Sequence, residues 1–425
     1  PGQATFTWRY RKSDNAPQGD DCGWVDRIQW KPQALDTEEY PSPENDWPLT
    51  IAHHRAKGMN GLQDLALSPD GRHAYALAVE DEMISCFSRD VAAGALTFES
   101  VAEIAAPAES AAIPELVYQE LPEQLCMAPD GAHIYVTASK GQGVFAFARD
   151  AVTGALTRIQ VVRNGQDGLT GMESPDHAAI SPDGKQLYVE SGHLSGNDSI
   201  YVFNRDLNTG LLSLAQHYEN DPAVFNGNLY GMIVSRDGKH LYLGNSGHYA
   251  SSTQTTKPGL LILNRDPGAG LLTHNVFYEF QSGANLWDIE KLRITADDTR
   301  LYVMTGGLSN VGYQSRNIGV FDRNTETGGL SFVSVFNNTT GLPSGQFHPG
   351  VSDFTSIEIS PDGGRLFLTT RTNKGSPPND VVKRDPSALV VLAIDAGTGA
   401  LTFEHSFVDG IDGIDGTGRW SYHSL

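Results

Sequence analysis

Cysteine, long apolar runs and positive charge are all scarce in this chain of 425 residues. Its three cysteines cannot all pair with one another, and Cys86 and Cys126 fall in apolar strand patterns where free buried thiols are expected. No run approaches the roughly 18 consecutive apolar residues that a membrane-spanning helix needs. Lys and Arg number 30 against 51 Asp and Glu, a formal net charge of -21. Such a field repels phosphate backbones, so nucleic-acid binding is not expected.

Several motifs of well-known chemistry are also missing. The chain has no phosphate-cradling glycine loop, no nucleophile elbow, no paired Cys-x-x-Cys and no basic aromatic patch. Pro1 does not begin a signal peptide or an ordinary initiator sequence, so the chain is expected to be processed or excised from a larger polypeptide. Its acidity suits a salty or extracellular medium. We therefore expect an extracellular or cell-surface location, with the periplasm as an alternative.

One phrase, "SPDG" with its variants, recurs six times. Its aspartates stand 53 to 65 residues apart, at Asp70, Asp130, Asp183, Asp237, Asp297 and Asp362. An apolar run precedes each turn, a strand centred on Tyr or Phe follows it, and a third run ends in most copies in an Arg-Asp pair. A Gly-centred turn and a fourth strand complete the unit.

Four short strands per repeat, without helical periodicity, are typical of a propeller blade. A single four-stranded sheet cannot bury both faces, whereas a ring of such sheets buries each blade against its neighbours. The prediction is an all-β, seven-bladed β-propeller of four-stranded antiparallel blades. The "SPDG" turns, the recurrent tyrosines and the Arg-Asp pairs are assigned to turn formation, blade packing and edge anchoring.

Six complete repeats leave the seventh blade to the chain ends. Residues 49–56 resemble an outermost strand, and Arg419–Leu425 an innermost strand. In one closure, "ATFTWRY" and "WVDRIQW" supply the middle strands; in the other, the blade continues beyond Leu425. We divide the chain into residues 1–35, N-terminal strands that end a β-sandwich module or join the seventh blade, and residues 36–425, the propeller.

The "LYV" strands after "SPDG" and the "RD…TGALT" ends resemble the YVTN-type repeats of the lactonase-like seven-bladed propellers. That family includes 6-phosphogluconolactonase-like and muconate-lactonizing enzymes. The resemblance covers residues 49–425 and implies the fold more strongly than the chemistry. The family's Pro-His pair ahead of the inner strand is replaced in all six repeats, and only His177 keeps the imidazole. Trp8–Trp30 resembles the last two strands of a β-sandwich module of large secreted bacterial proteins.

The strand order places the variable loops on the face that holds the linkers between blades. For a lactonase, His177 is the candidate base and Lys291 or Arg293 the candidate cation beside the developing oxyanion. Other polar residues are expected to form a ligand-binding ring at the channel mouth: Asp64, Gln124, Asp176, His193, His248 and Arg316.

No metal site is assigned with certainty, but two kinds of divalent-metal site are open. His177, His193 and His248 could hold a zinc-like ion, and Ca²⁺ could bind Asp409–Gly416 or the pair Asp20 and Asp21. Glycine-rich turns are the simpler interpretation of the segment from Asp409.

Two functions remain open. The first is a non-catalytic extracellular propeller, a binding or structural module of a larger bacterial surface or secreted protein, whose variable loops hold a protein, a glycan or a small molecule. The alternative is a lactonase-type hydrolase acting on a small sugar or carboxylated lactone at the loop-rich channel mouth. Whether the mouth side chains converge on one point separates these hypotheses.

Overall fold

A computed structural model describes residues 4–5, 7–8, 28–29, 58–59, 61–104, 121–192, 198–219, 228–246, 258–280, 286, 289–305, 317–337, 354–370 and 388–408. All secondary-structure elements of these residues are β-strands. None of their segments is a helix long and apolar enough to cross a membrane.

Six blades of four consecutive antiparallel strands are present in the described part of the chain, which confirms the all-β repeat architecture. The strands of the first three blades are β4 (Leu62–Leu67), β5 (His73–Ala78), β6 (Met83–Arg89), β7 (Leu96–Glu103), β8 (Pro122–Met127), β9 (His133–Ala138), β10 (Gly143–Arg149), β11 (Leu156–Arg163), β12 (Ser174–Ile180), β13 (Gln186–Gly192), β14 (Ser199–Arg205) and β15 (Leu212–Glu219). Those of the other three are β16 (Asn228–Val234), β17 (His240–Ser246), β18 (Gly259–Arg265), β19 (Leu272–Glu279), β20 (Ile289–Ile294), β21 (Arg300–Thr305), β22 (Ile318–Arg323), β23 (Leu330–Phe336), β24 (Phe354–Ile359), β25 (Arg365–Thr370), β26 (Ala388–Ile394) and β27 (Leu401–Val408).

Three short N-terminal strands lie outside this pattern. β1 (Ala4–Thr5) pairs with β7 and adds a fifth strand to the first blade, while β2 (Thr7–Trp8) pairs with β3 (Ile28–Gln29). Residues 409–425 and most residues before 58 lie outside the described residues, so the seventh blade and the boundary near residue 35 remain predictions.

The core consists of the faces between blades. Tyr135, Phe145, Phe147, Tyr188 and Tyr242 are fully buried there, together with aliphatic residues of the second and third strands. Apolar clusters join the first blade to the second, the second to the third and so on through the sixth. Repetition therefore supplies the stability that no single blade could provide, since each blade buries its neighbour's face.

The recurrent tyrosine and arginine form a latch between neighbouring blades. Arg205 of the third blade donates from Nε to Tyr135 Oη (2.9 Å) and from Nη2 to Asp130 Oδ2 (2.7 Å) of the second. The Tyr135 hydroxyl then donates to the carbonyl of Gly210 (2.8 Å). The same arrangement joins Tyr75 to Arg149, Tyr188 to Arg265 and Tyr242 to Arg323. The structural role predicted for the recurrent tyrosines and the Arg-Asp pairs is thereby confirmed, and the turn aspartate, predicted only to form its turn, also contacts the next blade.

The fifth and sixth blades are joined differently. Ile394 stands where the other blades carry the latch arginine. Here Arg300 of the fifth blade donates to the carbonyls of Asp395 and Gly397 in the sixth. The Tyr302 hydroxyl donates to the carbonyl of Gly399 (3.1 Å). This interface keeps the tyrosine contact but lacks the buried guanidinium.

Apolar side chains are exposed on the two faces that no other described blade covers. Leu65 and Leu67 of the first inner strand are 49% and 53% exposed, whereas Leu125 and Leu292, which match Leu65 in the second and fifth blades, are 5% and 2% exposed. In the sixth blade, Leu389 is exposed although its counterparts in the other blades are fully buried. The two open faces belong to the first and sixth blades.

Candidate functional site

The innermost strands of the six blades contact one another in sequence and surround a central channel. Six positions stand at one level of these strands, each six residues before the aspartate of the turn; we call them the mouth layer. They are Asp64, Gln124, His177, Gly231, Lys291 and Ser356. Asp64 and Lys291 come from the first and fifth blades yet interact electrostatically, so residues of this layer face one another across the channel.

Every inner strand carries a β-bulge at the mouth layer. The register shifts between Pro175 and His177 in the third blade, at the corresponding place in four other blades, and one residue later in the fourth blade, between Tyr230 and Met232. A bulge inserts one residue and turns the side chains beside it out of strict alternation. Bulged residues such as Asp176 are therefore presented together with the mouth layer.

His177 is held by a buried carboxyl group. It pairs across the strands with Glu190, and His177 Nδ1 lies 3.1 Å from Glu190 Oε2. The Glu190 side chain is 2% exposed, whereas the imidazole is 28% exposed and makes an edge-to-face contact with Tyr230 of the next blade. With Glu190 ionised, Nδ1–H donates to the carboxylate and Nε2 is free to accept a proton. This is the arrangement of an oriented general base.

Two further carboxyl groups converge on that of Glu190, around Gly192. A Cβ at Gly192 would lie 3.7 Å from Asp176 Oδ2, 3.9 Å from Asp198 Oδ1 and 3.9 Å from Glu190 Oε1. Glu190 Oε1 has no hydrogen-bond partner in the described part of the chain. Burial, reinforced by Asp198 and Asp176, holds the pKa of Glu190 well above its usual range, so the ionised carboxylate that orients His177 becomes favoured as the pH rises. Burial likewise raises the pKa of Asp176 to about 6.

Opposing charges act on the imidazole itself. Burial lowers the pKa of His177, and the Lys291 ammonium lowers it further, while the Asp176 carboxylate acts in the opposite sense. Burial also lowers the pKa of Lys291, with Asp64 opposing the shift. His177 is therefore largely unprotonated near neutral pH, and the Lys291 ammonium is close enough to act on it electrostatically.

Asp64 and Gln124 join inner strands of adjacent blades. Asp64 accepts hydrogen bonds from the backbone N–H of Leu65 (2.9 Å) and of Leu125 (2.8 Å) in the next blade. Gln124 Oε1 accepts from the N–H of Ala178 (2.8 Å) in the blade after that. Each side chain of this pair thus sets the position of the next inner strand, and Gln124 places the residue that follows His177.

Arg293 lies two residues beyond Lys291 in β20, about 7 Å deeper along the channel. Its guanidinium pairs with Glu358 and lines a cavity at the opposite, turn-bearing face. The mouth layer therefore contains Lys291 but not Arg293. His193, His248 and Arg316 lie outside the described residues.

Metal binding remains a prediction. Within the described ranges, no three Asp, Glu, His or Cys side chains are spaced to ligate a metal ion. The partners named for His177 in a zinc-like site, and both segments named for Ca²⁺, lie outside these ranges. The described thiols, Cys86 and Cys126, are free, as predicted.

Two residues of this site, Glu190 and Asp198, were missed by the sequence reasoning. The other five repeats carry Leu77, Thr137, Gly244, Met304 and Thr369 at the position of Glu190. A lone carboxyl group in an otherwise apolar strand was the available signal. Its pairing with His177 depends on the bulge, which has no sequence signature here.

Comparison with known proteins gives one family match and several similar folds. Residues 122–228 match the family described as "Lactonase, 7-bladed beta-propeller". An uncharacterised protein of Staphylococcus epidermidis is 28% identical over 129 residues, which are 28% of this chain and 35% of that protein. The chain thus matches about a third of the length of this curated relative.

Two solved structures share the fold. A periplasmic gluconolactonase of Pseudomonas aeruginosa superposes with a TM-score of 0.52 at 20% identity, covering 76% of this chain and 78% of that one. A putative 6-phosphogluconolactonase of Bacteroides fragilis superposes with a TM-score of 0.53 at 20% identity, covering 77% of this chain and 78% of that one. At such identities the likeness shows the fold alone. Together with the family match over residues 122–228, it confirms the predicted resemblance to the lactonase-like β-propellers.

Proposed function

We propose that this protein is a lactonase-type hydrolase that opens a small sugar or carboxylated lactone at the loop-rich channel mouth. The observation that carries the proposal is the contact of His177 with the buried carboxyl group of Glu190. The family match and the names of the two similar proteins, a gluconolactonase and a putative 6-phosphogluconolactonase, favour the same reaction class. The non-catalytic module has no comparable observation in its favour.

The chemistry would run as base-catalysed water attack. His177 Nε2 takes a proton from a water molecule while the oxygen of that water molecule attacks the lactone carbonyl carbon. The Lys291 ammonium stabilises the oxyanion of the tetrahedral intermediate. The bond from the carbonyl carbon to the ring oxygen then breaks, and the ring oxygen takes the proton back from the imidazolium. One water molecule is consumed and one hydroxy acid is formed.

Initial-rate measurements by pH-stat on a panel of sugar and carboxylated lactones test the proposal. Acid release above the uncatalysed rate supports it. Background rates on every member would overturn it and return attention to the variable loops as a surface for a protein or glycan ligand. An extracellular or periplasmic location remains a prediction alongside either outcome.

An Asp176→Asn variant is expected to move the acid limb of the pH–rate profile to lower pH. The Asp176 carboxylate favours protonated His177, so removing its charge lowers the pKa of His177 and leaves the base free in more acidic solution. The measurement is kcat/KM from pH 4 to 8, with the uncatalysed rate subtracted. A limb that stays in place or moves to higher pH contradicts the role assigned to His177.

We also propose that a seventh blade covers the open faces of the first and sixth blades. A Leu67→Glu variant should then lose about 2 kcal/mol or more of unfolding free energy, because a charge is forced into a closed interface. Leu214→Glu is the matched control, since Leu214 is 45% exposed on an outer strand, and should change stability by no more than about 0.5 kcal/mol. Equal effects in urea titrations would contradict the covering blade.

A further inference from the structure

A cavity lies at the end of the channel opposite the mouth layer, on the face of the "SPDG" turns. Its volume is about 490 Å³ and its wall comes from the second to the sixth blade. Small-molecule sites have volumes of about 300 to 1,000 Å³. The cavity is therefore large enough for a metabolite, and the hydrolytic mechanism makes no use of it.

Its walls are apolar. Eight of its twelve lining residues are apolar, among them Pro129 and Pro182 from two turns and Ile233, Ile294 and Ile359 from three inner strands. These positions recur because each repeat places the residue before its turn aspartate and the same strand end at this level, although that residue is Arg236 in the fourth blade and Ala296 in the fifth. An aliphatic ligand body would lose water-exposed surface against them.

The charged lining is cationic, unlike the chain as a whole. Arg236, Arg293 and Glu358 are its charged side chains, a balance of two positive charges against one negative. The complete chain has a formal net charge of -21. The cavity thus has one positive charge in excess, and an anion with a single charge would neutralise it.

Both guanidinium groups are fixed but not saturated. Arg293 donates from Nε to Glu358 Oε2 (2.8 Å) and from Nη1 to the carbonyl of Leu292 (2.9 Å). Arg236 donates from Nε to the carbonyl of Thr295 (3.0 Å). Within the described residues, Arg293 Nη2 and both terminal nitrogens of Arg236 make no hydrogen bond. Each guanidinium group therefore keeps N–H donors from which a carboxylate can accept hydrogen bonds.

We propose that this cavity is a binding site for a small aliphatic monocarboxylate. The carboxylate accepts hydrogen bonds from Arg293 and Arg236, and the hydrocarbon body packs on the isoleucines and prolines. A single negative charge matches the excess, whereas a phosphate dianion would exceed it by one charge. This site is separate from His177 and does not depend on lactone hydrolysis.

Calorimetric titration of the full chain with pentanoate, its uncharged analogue pentanamide and inorganic phosphate tests the proposal. Pentanoate should bind, and pentanamide and phosphate should bind at least about tenfold more weakly, since a charged hydrogen bond contributes about 1.5 kcal/mol or more. Pentanamide binding as tightly as pentanoate, or phosphate binding more tightly, would overturn the carboxylate assignment.

Two variants locate the binding. Arg293→Gln should weaken pentanoate binding at least about tenfold, and Glu358→Gln should tighten it because it removes the carboxylate that competes for Arg293. Arg365→Gln is the control, since Arg365 forms a comparable ion pair with Glu404 outside the cavity lining. No change with Arg293→Gln, weaker binding with Glu358→Gln, or equal loss with Arg365→Gln would each place pentanoate elsewhere.

Discussion

A His177→Gln variant is expected to hydrolyse the preferred lactone about 10² to 10⁴ times more slowly than the unchanged protein. Glutamine preserves a polar side chain at the mouth layer but cannot take a proton from water near neutral pH. The measurement is kcat by pH-stat at pH 7, corrected for uncatalysed opening. Circular dichroism before the assay checks that the propeller is intact.

Glu190→Gln separates a catalytic arrangement from a structural one. The amide cannot stabilise the imidazolium by charge, so activity should fall, although less than with His177→Gln. Stability should not fall, because burial opposes ionisation of Glu190 and raises its pKa, a penalty that glutamine does not carry. Loss of stability with unchanged activity would assign the His177–Glu190 contact to folding and contradict the mechanism.

An Arg323→Met variant should lose about 3 to 5 kcal/mol of unfolding free energy, the usual cost of removing one partner of a buried ion pair. The Arg323 side chain is fully buried and pairs with Asp237 (3.1 Å) and Asp298 (2.7 Å). It also donates to the hydroxyl of Tyr242 (2.7 Å). Methionine fills similar space but leaves both carboxylates without their cation. Urea unfolding followed by fluorescence measures the change.

Arg365→Met is the matched control for this latch. Arg365 forms an ion pair with Glu404 at 2.8 Å, but its side chain is 50% exposed, so the cost should not exceed about 1 kcal/mol. Comparable losses in the two variants would mean that the latch between the fourth and fifth blades contributes no more than a surface ion pair. Chemical shifts limited to the fourth and fifth blades would locate the disturbance.

Fold class was predictable because it is encoded in local patterns that the chain repeats. A turn such as the one at Asp183 needs only neighbouring residues, and alternating apolar residues indicate strands without knowledge of their partners. The latch residues, including Tyr135 and Arg205, were identified as structural because they recur. Repetition could not show that they meet across a blade boundary rather than within one blade.

The mouth layer was also visible in part. Counting back from the turn aspartates aligned Asp64, His177 and Lys291, because strand length is nearly constant between repeats. Arg293 was grouped with them although it lies two residues deeper, beside the turn-face cavity. Depth along the channel depends on the strand's direction and on the bulge, and residue type alone reveals neither of them.

The sequence by itself determined the repeat, the all-β blades, the turn chemistry and the singular position of His177. Only the tertiary structure decided that Glu190 lies behind His177, that Asp64 and Gln124 tie inner strands together, and that Arg293 belongs to the other end of the channel. The physical reason is the difference in the sequence distance over which these effects act. Turn and strand preferences act between residues close in the chain, whereas the surroundings of a side chain depend on blades that only the closed packing brings together.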